Sequence, residues 1–323
     1  MECLSGGWSA ALVRLPLSDA LVVARLDAAA HSFFEDTPVA EKERCFIERH
    51  IAAVGPVPVR IGWRQPSEAK ECIRWFTCRR SSRRQPPVCG MLDRLGRTVQ
   101  QSLHSVLEAC LHGVLSSLVT RPVTTESVEN FLHDELLDDA KDGVDPFSNF
   151  AMDVFYYYNH CQRGLVSCVP NCAPHIDRGF LSAVVVSRVE GLQLRNRHTS
   201  KWSLVKDIWP SATPCADVVV LCNAELESVV SALHFGPNAP ELIACTHAVT
   251  TALKPRVSIS YELRPDYGSS GTVERCKRWL RGLDDASSLR RTKCQRRGNP
   301  PWNASVSDQS RWTKEPSRRF IFE

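Results

Sequence analysis

The sequence lacks any apolar run of roughly 18 residues, which is about the length that a helix needs to cross a membrane. A membrane-spanning segment is therefore not expected. The first residues also lack the basic stretch and apolar core of a secretory signal, with Glu2 directly after the initial methionine. These two absences predict a cytoplasmic protein with no membrane partner.

A strong excess of one charge is also absent, since the net charge is +4. Residues 266–323 contain 13 Lys and Arg against 7 Asp and Glu, whereas residues 1–265 are slightly acidic. The basic character therefore belongs to the tail, and we expect no nucleic-acid binding by the rest of the chain. A basic stretch at 79–87 is interpreted as a surface loop, with a phosphate or RNA contact as the alternative.

Cysteine, in contrast, is abundant, with 14 residues. A disulfide framework is typical of short secreted chains, and this chain has 323 residues and no recognisable signal. We therefore interpret the cysteines as reduced thiols. Cys168, Cys172 and His175 have a spacing loosely similar to that of a zinc site, which is an alternative use of His175.

The apolar pattern indicates helices in the first half of the chain and strands in the second. A helix is predicted from a cap at Ser18 to the Phe33-Phe34 pair, and Pro38 ends it. A second, amphipathic helix is predicted over residues 99–118, where apolar residues recur every three or four positions. From residue 155 onward the pattern changes to short strands separated by turns. Examples are the stretches 181–186, 218–222 and 257–263.

The strongest chemical signal is the pair His175 and Asp177. Side chains two residues apart on an extended strand lie on the same face. A more distant histidine on a facing strand, for which His247 is the candidate, would complete a set of three ligands. Two histidines and one carboxylate on one face of an octahedron form the facial triad of non-haem Fe(II) oxygenases, which leaves three positions open.

An Arg-x-Ser pair, Arg256 and Ser258, begins nine residues after His247. A guanidinium with a hydroxyl on the same strand face suits a carboxylate, because arginine offers a planar fork of donors. His234 is a competing distal ligand, but it has no such pair at the right distance. Two other histidines are interpreted as loop residues: His160 and His198.

Together these residues resemble the isopenicillin N synthase-like family of 2-oxoglutarate/Fe(II) dioxygenases. Further segments in the right order strengthen the resemblance. They are the Tyr157-Tyr158 pair, Gly191-Leu192-Gln193 with Trp202 downstream, the strand 217–223 and the segment 244–247.

The resemblance implies an α+β fold with a mainly β core. The core would be a double-stranded β-helix, or jelly roll, with an N-terminal helical segment packed outside the barrel. It also implies three regions: an N-terminal helical region at 1–150, the dioxygenase domain at 151–265, and a mobile basic tail at 266–323.

For the site, the resemblance implies that His175, Asp177 and His247 are the catalytic residues and bind Fe(2+). The cosubstrates would be 2-oxoglutarate and O2. A monomeric enzyme would oxidise a small organic substrate by hydroxylation, desaturation or cyclisation, with release of succinate and CO2.

The resemblance also assigns the distal carboxylate of 2-oxoglutarate to Arg256 and Ser258. Tyr158 would donate a third hydrogen bond, with Tyr157 or Tyr156 as alternatives.

Three other functions remain open at this point. The first is an Fe(II) oxidase like isopenicillin N synthase, which keeps the Arg-x-Ser pair without consuming 2-oxoglutarate. The second is a non-catalytic scaffold of the same fold. The third is an oxygenase acting on a protein or nucleic acid that is recruited by the basic tail.

Overall fold

The computed structural model describes residues 7–49, 59–78, 90–118, 123–124, 128, 132, 147–159, 170–232 and 242–264. Several expectations lie outside these residues. They concern the tail at 266–323, the basic loop at 79–87, and three side chains: Cys168, His160 and His234.

The described residues form twelve strands and five helices. The strands are β1 (Ala10–Arg14), β2 (Phe46–Arg49), β3 (Val59–Ser67), β4 (Lys70–Cys78), β5 (Phe147–Tyr157), β6 (Cys172–His175), β7 (Leu181–Val185), β8 (Leu192–Arg195), β9 (Trp202–Leu204), β10 (Asp217–Cys222), β11 (His247–Val249) and β12 (Arg256–Leu263). The helices are α1 (Leu17–Asp36), α2 (Val39–Lys42), α3 (Gly90–Leu118), α4 (Val205–Ile208) and α5 (Ala224–Ala232).

The strands form two antiparallel sheets. The large sheet has eight strands in the order β1-β10-β7-β12-β5-β4-β3-β2, and the small sheet has the order β6-β11-β8-β9. The expected hairpin after Gly191 is present, since β8 pairs with β9 and Arg195 lies opposite Trp202. The expectation of a mainly β core with helices is confirmed.

The two long helices pack against one face of the large sheet, as predicted. α1 buries Val23, Leu26 and Ala30, and α3 buries residues from Val99 to Leu115 in the same core cluster. This spacing of three and four residues places an apolar stripe on one side of each helix. α1 begins after Pro16 instead of being capped by Ser18. None of the described helices combines the length and the apolar character needed to cross a bilayer.

The opposite face of the large sheet packs against the small sheet. A second core cluster lies here, with apolar residues from both sheets, among them Val184, Leu194 and Val219. All residues of β7 and β10 are buried, so both strands are continuous apolar runs with little alternation. We call this face of the large sheet the inner face.

The N-terminal region contributes more than the expected helices. It also supplies β1, which pairs with β10, and the strands β2 to β4, which extend the sheet beyond β5. In β4 the apolar residues Ile73 and Trp75 join the helix-side core, whereas Arg74 lies on the inner face. Alternation of this kind is a strand signal.

A buried polar network joins this extension to the helices. Trp63 donates to Glu71 through its indole nitrogen at 2.6 Å, and Lys42 lies 3.0 Å from the same carboxylate. Lys42 also donates to the backbone oxygen of Phe34 at 2.5 Å. The Lys42 and Glu71 side chains are 4% and 3% exposed.

We expect Glu71→Ala to lower the free energy of unfolding by about 3–5 kcal/mol, because it leaves the Lys42 ammonium buried without its carboxylate. Urea denaturation measures this value. Glu190→Ala is the control, since Glu190 pairs with Lys206 on the surface, and such a pair contributes about 1 kcal/mol or less. Equal losses in the two variants would contradict the assigned role of Glu71.

Candidate active site: a metal centre and a carboxylate clamp

The small sheet brings the two candidate histidines together. His247 begins β11 and lies directly opposite His175, the last residue of β6. Their ring centroids are 4.2 Å apart. Asp177 follows two residues after His175, beyond the end of the strand. The three side chains predicted as ligands therefore meet at one end of the small sheet.

The separations within this set are short enough for one metal ion. Nε2 of His175 lies 3.5 Å from Oδ1 of Asp177, and Nε2 of His247 lies 3.8 Å from Oδ2. All three ligand atoms lie within 4.8 Å of one another. Two adjacent ligands of one ion are about 3 Å apart when each metal–ligand distance is near 2.1 Å. A small contraction of the set would therefore accommodate an ion.

Backbone carbonyls orient both imidazoles. Nδ1 of His175 lies 2.8 Å from the oxygen of Ala173, and Nδ1 of His247 lies 3.3 Å from the oxygen of Cys245. If each Nδ1 carries the hydrogen and donates it, the lone pair of each ring is at Nε2, which is the atom facing Asp177. Metal-binding histidines in proteins are held in this way.

A second hydrogen-bond chain orients the carboxylate. Ser182 donates to Oδ2 of Asp177 at 2.6 Å, and Asn223 donates to the Ser182 hydroxyl at 2.9 Å. The sequence reasoning missed both residues. The available signal was the position of Ser182 as a lone hydroxyl residue within the apolar run of β7.

The electrostatics keep the carboxylate ionised. Burial works to raise the pKa of Asp177, but the neighbouring His247 and His175 together hold it well below its usual range. Burial works to lower the pKa of His175, but its contacts with Asp177 and Cys172 raise it to about 11. For His247, burial dominates and lowers the pKa. A divalent cation bound beside this anionic carboxylate would displace the proton that the raised pKa places on His175, because histidine binds a metal in its neutral form.

The predicted carboxylate-binding pair, Arg256 and Ser258, lies on the inner face of the large sheet, and we call this pair the clamp. Arg256 is the first residue of β12 and is 1% exposed, and Ser258 is buried two residues further along on the same face. Nε of Arg256 donates to the oxygen of Val189 at 3.1 Å. Nη1 is buried and has no hydrogen-bond partner among the described residues. An unpaired buried donor of this kind fits an anionic ligand.

The tyrosines divide between the two faces of the sheet. Tyr157 lies opposite Arg256, with its ring 5.6 Å from the guanidinium carbon. Tyr158 instead packs edge-on against Tyr156 at 5.3 Å on the helix side. The structure therefore does not bring Tyr158, the expected third donor, to the clamp. Successive strand residues face opposite ways, and the alternative Tyr157 is the neighbour of Arg256.

A cavity of about 160 Å³ adjoins the clamp. Its lining includes Arg256, Gly191, Leu192 and Val205, and none of the three candidate metal ligands. Gly191 lies close to the arginine, since a Cβ there would be 3.3 Å from Cδ of Arg256 and 3.1 Å from the oxygen of Thr250. A larger residue at this position of the Gly-Leu-Gln motif would require its neighbours to shift by a few tenths of an ångström.

The remaining sequence candidates lie elsewhere or have other partners. His198 is exposed in the turn between β8 and β9. For the zinc alternative, Cys172 lies 3.7 Å from Nδ1 of His175, but this nitrogen already faces the oxygen of Ala173.

No family model matches the sequence, and no curated protein sequence matches it. Solved structures do match. A Shewanella oneidensis protein named as an oxygenase superposes with a TM-score of 0.59 at 13% identity, covering 86% of this chain and 92% of the other. The fold is that of the 2-oxoglutarate/Fe(II) dioxygenases. The resemblance found in the sequence is thereby confirmed at the level of the fold.

Two further matching structures contain 2-oxoglutarate, and one of them also contains iron. Dioxygenase for auxin oxidation 1 from Arabidopsis thaliana, bound to 2-oxoglutarate, has a TM-score of 0.54 at 16% identity, covering 81% and 85% of the two chains. JOX2, solved with 2OG, Fe and JA, has a TM-score of 0.53 at 14% identity, covering 82% and 69%. This chain therefore combines the dioxygenase fold with three clustered side chains that could bind a metal ion: His175, Asp177 and His247.

Proposed function

We propose that this protein is an Fe(II)- and 2-oxoglutarate-dependent dioxygenase that oxidises a small organic substrate. The observation that carries the proposal is the set formed by His175, Asp177 and His247, whose ligand atoms lie within 4.8 Å of one another. Arg256 supports it, because its buried Nη1 has no partner among the described residues. The donor set fits iron, and the clamp fits the far carboxylate of a dicarboxylate cosubstrate.

We further propose that the two sheets form a double-stranded β-helix, or jelly roll. The four strands β10-β7-β12-β5 of the large sheet would face the four strands of the small sheet, with the site between them. The strand order and the antiparallel pairing support this arrangement.

In this proposal, Fe(II) with 2-oxoglutarate and O2 supplies the oxidising chemistry, which converts the ketoacid to succinate and CO2 while the substrate is oxidised. The residues of the chain would bind the iron and the cosubstrate and hold them in a fixed orientation. The backbone oxygens of Ala173 and Cys245 fix the imidazoles, and Ser182 fixes the carboxylate. Such partners adjust both ligand geometry and metal affinity.

The inner-face residues would position the cosubstrate. Arg256 and Ser258 bind its distal carboxylate, and Tyr157 supports the guanidinium from the neighbouring strand. The apolar side chains of the second core cluster between the two sheets, such as Leu194 and Val219, would keep water away from this side of the site.

The test is to bind Fe(II) and 2-oxoglutarate under anaerobic conditions, admit O2, and measure succinate. We expect slow succinate formation even without the organic substrate, and none when iron, 2-oxoglutarate or O2 is omitted. Iron binding without 2-oxoglutarate consumption would overturn this proposal in favour of an Fe(II) oxidase. Absence of iron binding would leave a scaffold of the same fold.

A further inference from the structure

The inner face of the large sheet changes from apolar to charged beyond β7. Here it carries Arg64 on β3, Arg74 on β4, Asp153 on β5 and Glu262 on β12, and Arg264 follows directly after β12. We call Arg64, Arg74 and Arg264 the arginine cluster. The proposed catalytic machinery uses none of these three residues.

Strand register places the cluster on the same face as the clamp. Arg74 lies opposite Asp153, and Asp153 lies opposite Ser260. Ser260 is four residues beyond Arg256 on β12, so the two share a face. On the other side of β4, Arg64 of β3 lies opposite Cys72, two residues from Arg74.

The cluster also adjoins the metal ligands. Glu262 lies opposite Ser182 on the neighbouring strand β7, and Ser182 is the residue that donates to Asp177. The backbone nitrogen of Gly179, two residues after Asp177, donates to Glu262 at 2.8 Å. Arg264 pairs with the same carboxylate. One residue, Ser182, therefore separates the charged group from Asp177, since it lies opposite Glu262 and donates to Asp177.

One guanidinium of the cluster has no ion pair of its own among the residues that the structure describes. Arg74 makes a two-bond pair with Asp153, at 2.7 and 2.6 Å, and Arg264 pairs with Glu262. Arg64 contacts the Cys72 thiol and helps to lower the pKa of the Asp153 carboxyl, but both oxygens of Asp153 are already bonded to Arg74. The buried Nε of Arg64 has no hydrogen-bond partner within the described ranges.

The three arginines and the carboxylates of Asp153 and Glu262 therefore sum to one positive charge. Arg178 adds a further cation beside Arg264 and Glu262, and burial raises the pKa of the neighbouring Glu225 to about 8.

The cluster is mostly buried but still reached by solvent. The side chains of Arg74 and Asp153 are 16% and 13% exposed, and that of Arg264 is 27% exposed. A ligand can therefore contact the cluster, and a charged pair formed there is less screened than one on the open surface.

We propose that the arginine cluster binds a carboxylate of the organic substrate, with Arg64 as the guanidinium that has no ion pair of its own in the described part of the chain. This inference rests on the proposed function, and it narrows the substrate class to organic acids. A carboxylate offers two oxygens in one plane, which match the planar fork of donors on arginine. A phosphate monoester is tetrahedral and carries nearly two negative charges at neutral pH, so it serves as the contrasting anion in the test.

The test measures binding to the anaerobic Fe(II) protein by equilibrium dialysis, with saturating 2-oxoglutarate so that the clamp is filled. The probes are acids paired with their neutral amides, namely phenylacetate with phenylacetamide and octanoate with octanamide, together with phenyl phosphate. We expect at least one acid to bind more tightly than both its amide and phenyl phosphate.

The variant Arg64→Gln is expected to weaken acid binding by about tenfold or more, since it removes a charge-assisted hydrogen bond, and to leave amide binding unchanged. Arg94→Gln, on the exposed side of α3, is the matched control and should keep the preference. If Arg64→Gln fails to fold, Arg64→Lys carries the test. It keeps the charge without the fork, and we expect it to bind acids less tightly than the wild type.

Equal binding of acids and amides, or an unchanged preference in both Arg64 variants, would overturn the inference. Tighter binding of phenyl phosphate would overturn the carboxylate assignment. These results are distinguishable from failure of the proposed function. Succinate formation without any preference for acids removes only the inference, whereas acid binding that depends on Arg64 without iron-dependent succinate formation removes only the function.

Discussion

The variant Asp177→Asn is expected to bind Fe(II) at least about 100-fold more weakly than the wild type, because loss of even a residue behind a metal ligand costs 10–100-fold. Asparagine keeps the size of the side chain but removes the charge that faces His175 and His247. Iron-dependent succinate formation should fall to background. Anaerobic titration with Fe(II) and a succinate assay measure the two effects.

The matched control for this variant is Asp207→Asn on the exposed side of α4, which should change neither iron binding nor succinate formation. Circular dichroism should show the same secondary structure in both variants. Because the Asp177 residue lies outside the strands, its replacement by asparagine removes no strand pairing and should affect only the metal centre. Unchanged iron affinity in Asp177→Asn would contradict the assigned metal centre.

The variant Arg256→Gln is expected to bind 2-oxoglutarate about 100-fold more weakly while keeping its affinity for Fe(II). Two hydrogen bonds between a guanidinium and a carboxylate contribute about 1.5–3 kcal/mol each, and glutamine replaces them with at most one neutral bond. Calorimetry of 2-oxoglutarate binding to the anaerobic Fe(II) protein measures the loss.

Ligand-dependent unfolding gives an independent measure of the same change. At a 2-oxoglutarate concentration 100 times the wild-type Kd, the ligand should stabilise the wild type by about 2.7 kcal/mol and Arg256→Gln by about 0.4 kcal/mol. Arg195→Gln, an exposed arginine on β8, should behave as the wild type. If Arg256→Gln keeps its 2-oxoglutarate affinity, the arginine serves another carboxylate, as in the oxidase alternative.

The long helices and the central strands could be predicted from local pattern alone. α1 and α3 each carry an apolar stripe with helical spacing. β7 and β10 are short, mainly apolar runs between turns, and β12 alternates polar and apolar residues. These signals are strong because burial of one face fixes the periodicity of the sequence. The start of α1 was predicted less well, because Pro16 and Ser18 both suit a helix terminus.

The strands of the N-terminal region could not be placed in this way. β4 shows alternation, yet its inward residues include Arg74 and Lys70, which suggest a solvated surface when only the sequence is considered. Their environment is set by cross-strand neighbours, since Arg74 pairs with Asp153, which lies 79 residues away. A local pattern contains no information on such a partner.

The sequence by itself determined which residue types are available for the site and in which order: His175 and Asp177 two apart, then His247, then Arg256 and Ser258. Strand periodicity correctly placed Arg256 and Ser258 on one face of β12. It did not apply to Asp177, which lies beyond the end of β6.

Only the tertiary structure decided which side chains meet. It brings His247 opposite His175, Tyr157 instead of Tyr158 to Arg256, and Ser182 to Asp177. The physical reason is register: a shift of one residue between two strands moves every side chain to the other face, and the register follows from packing across the whole sheet.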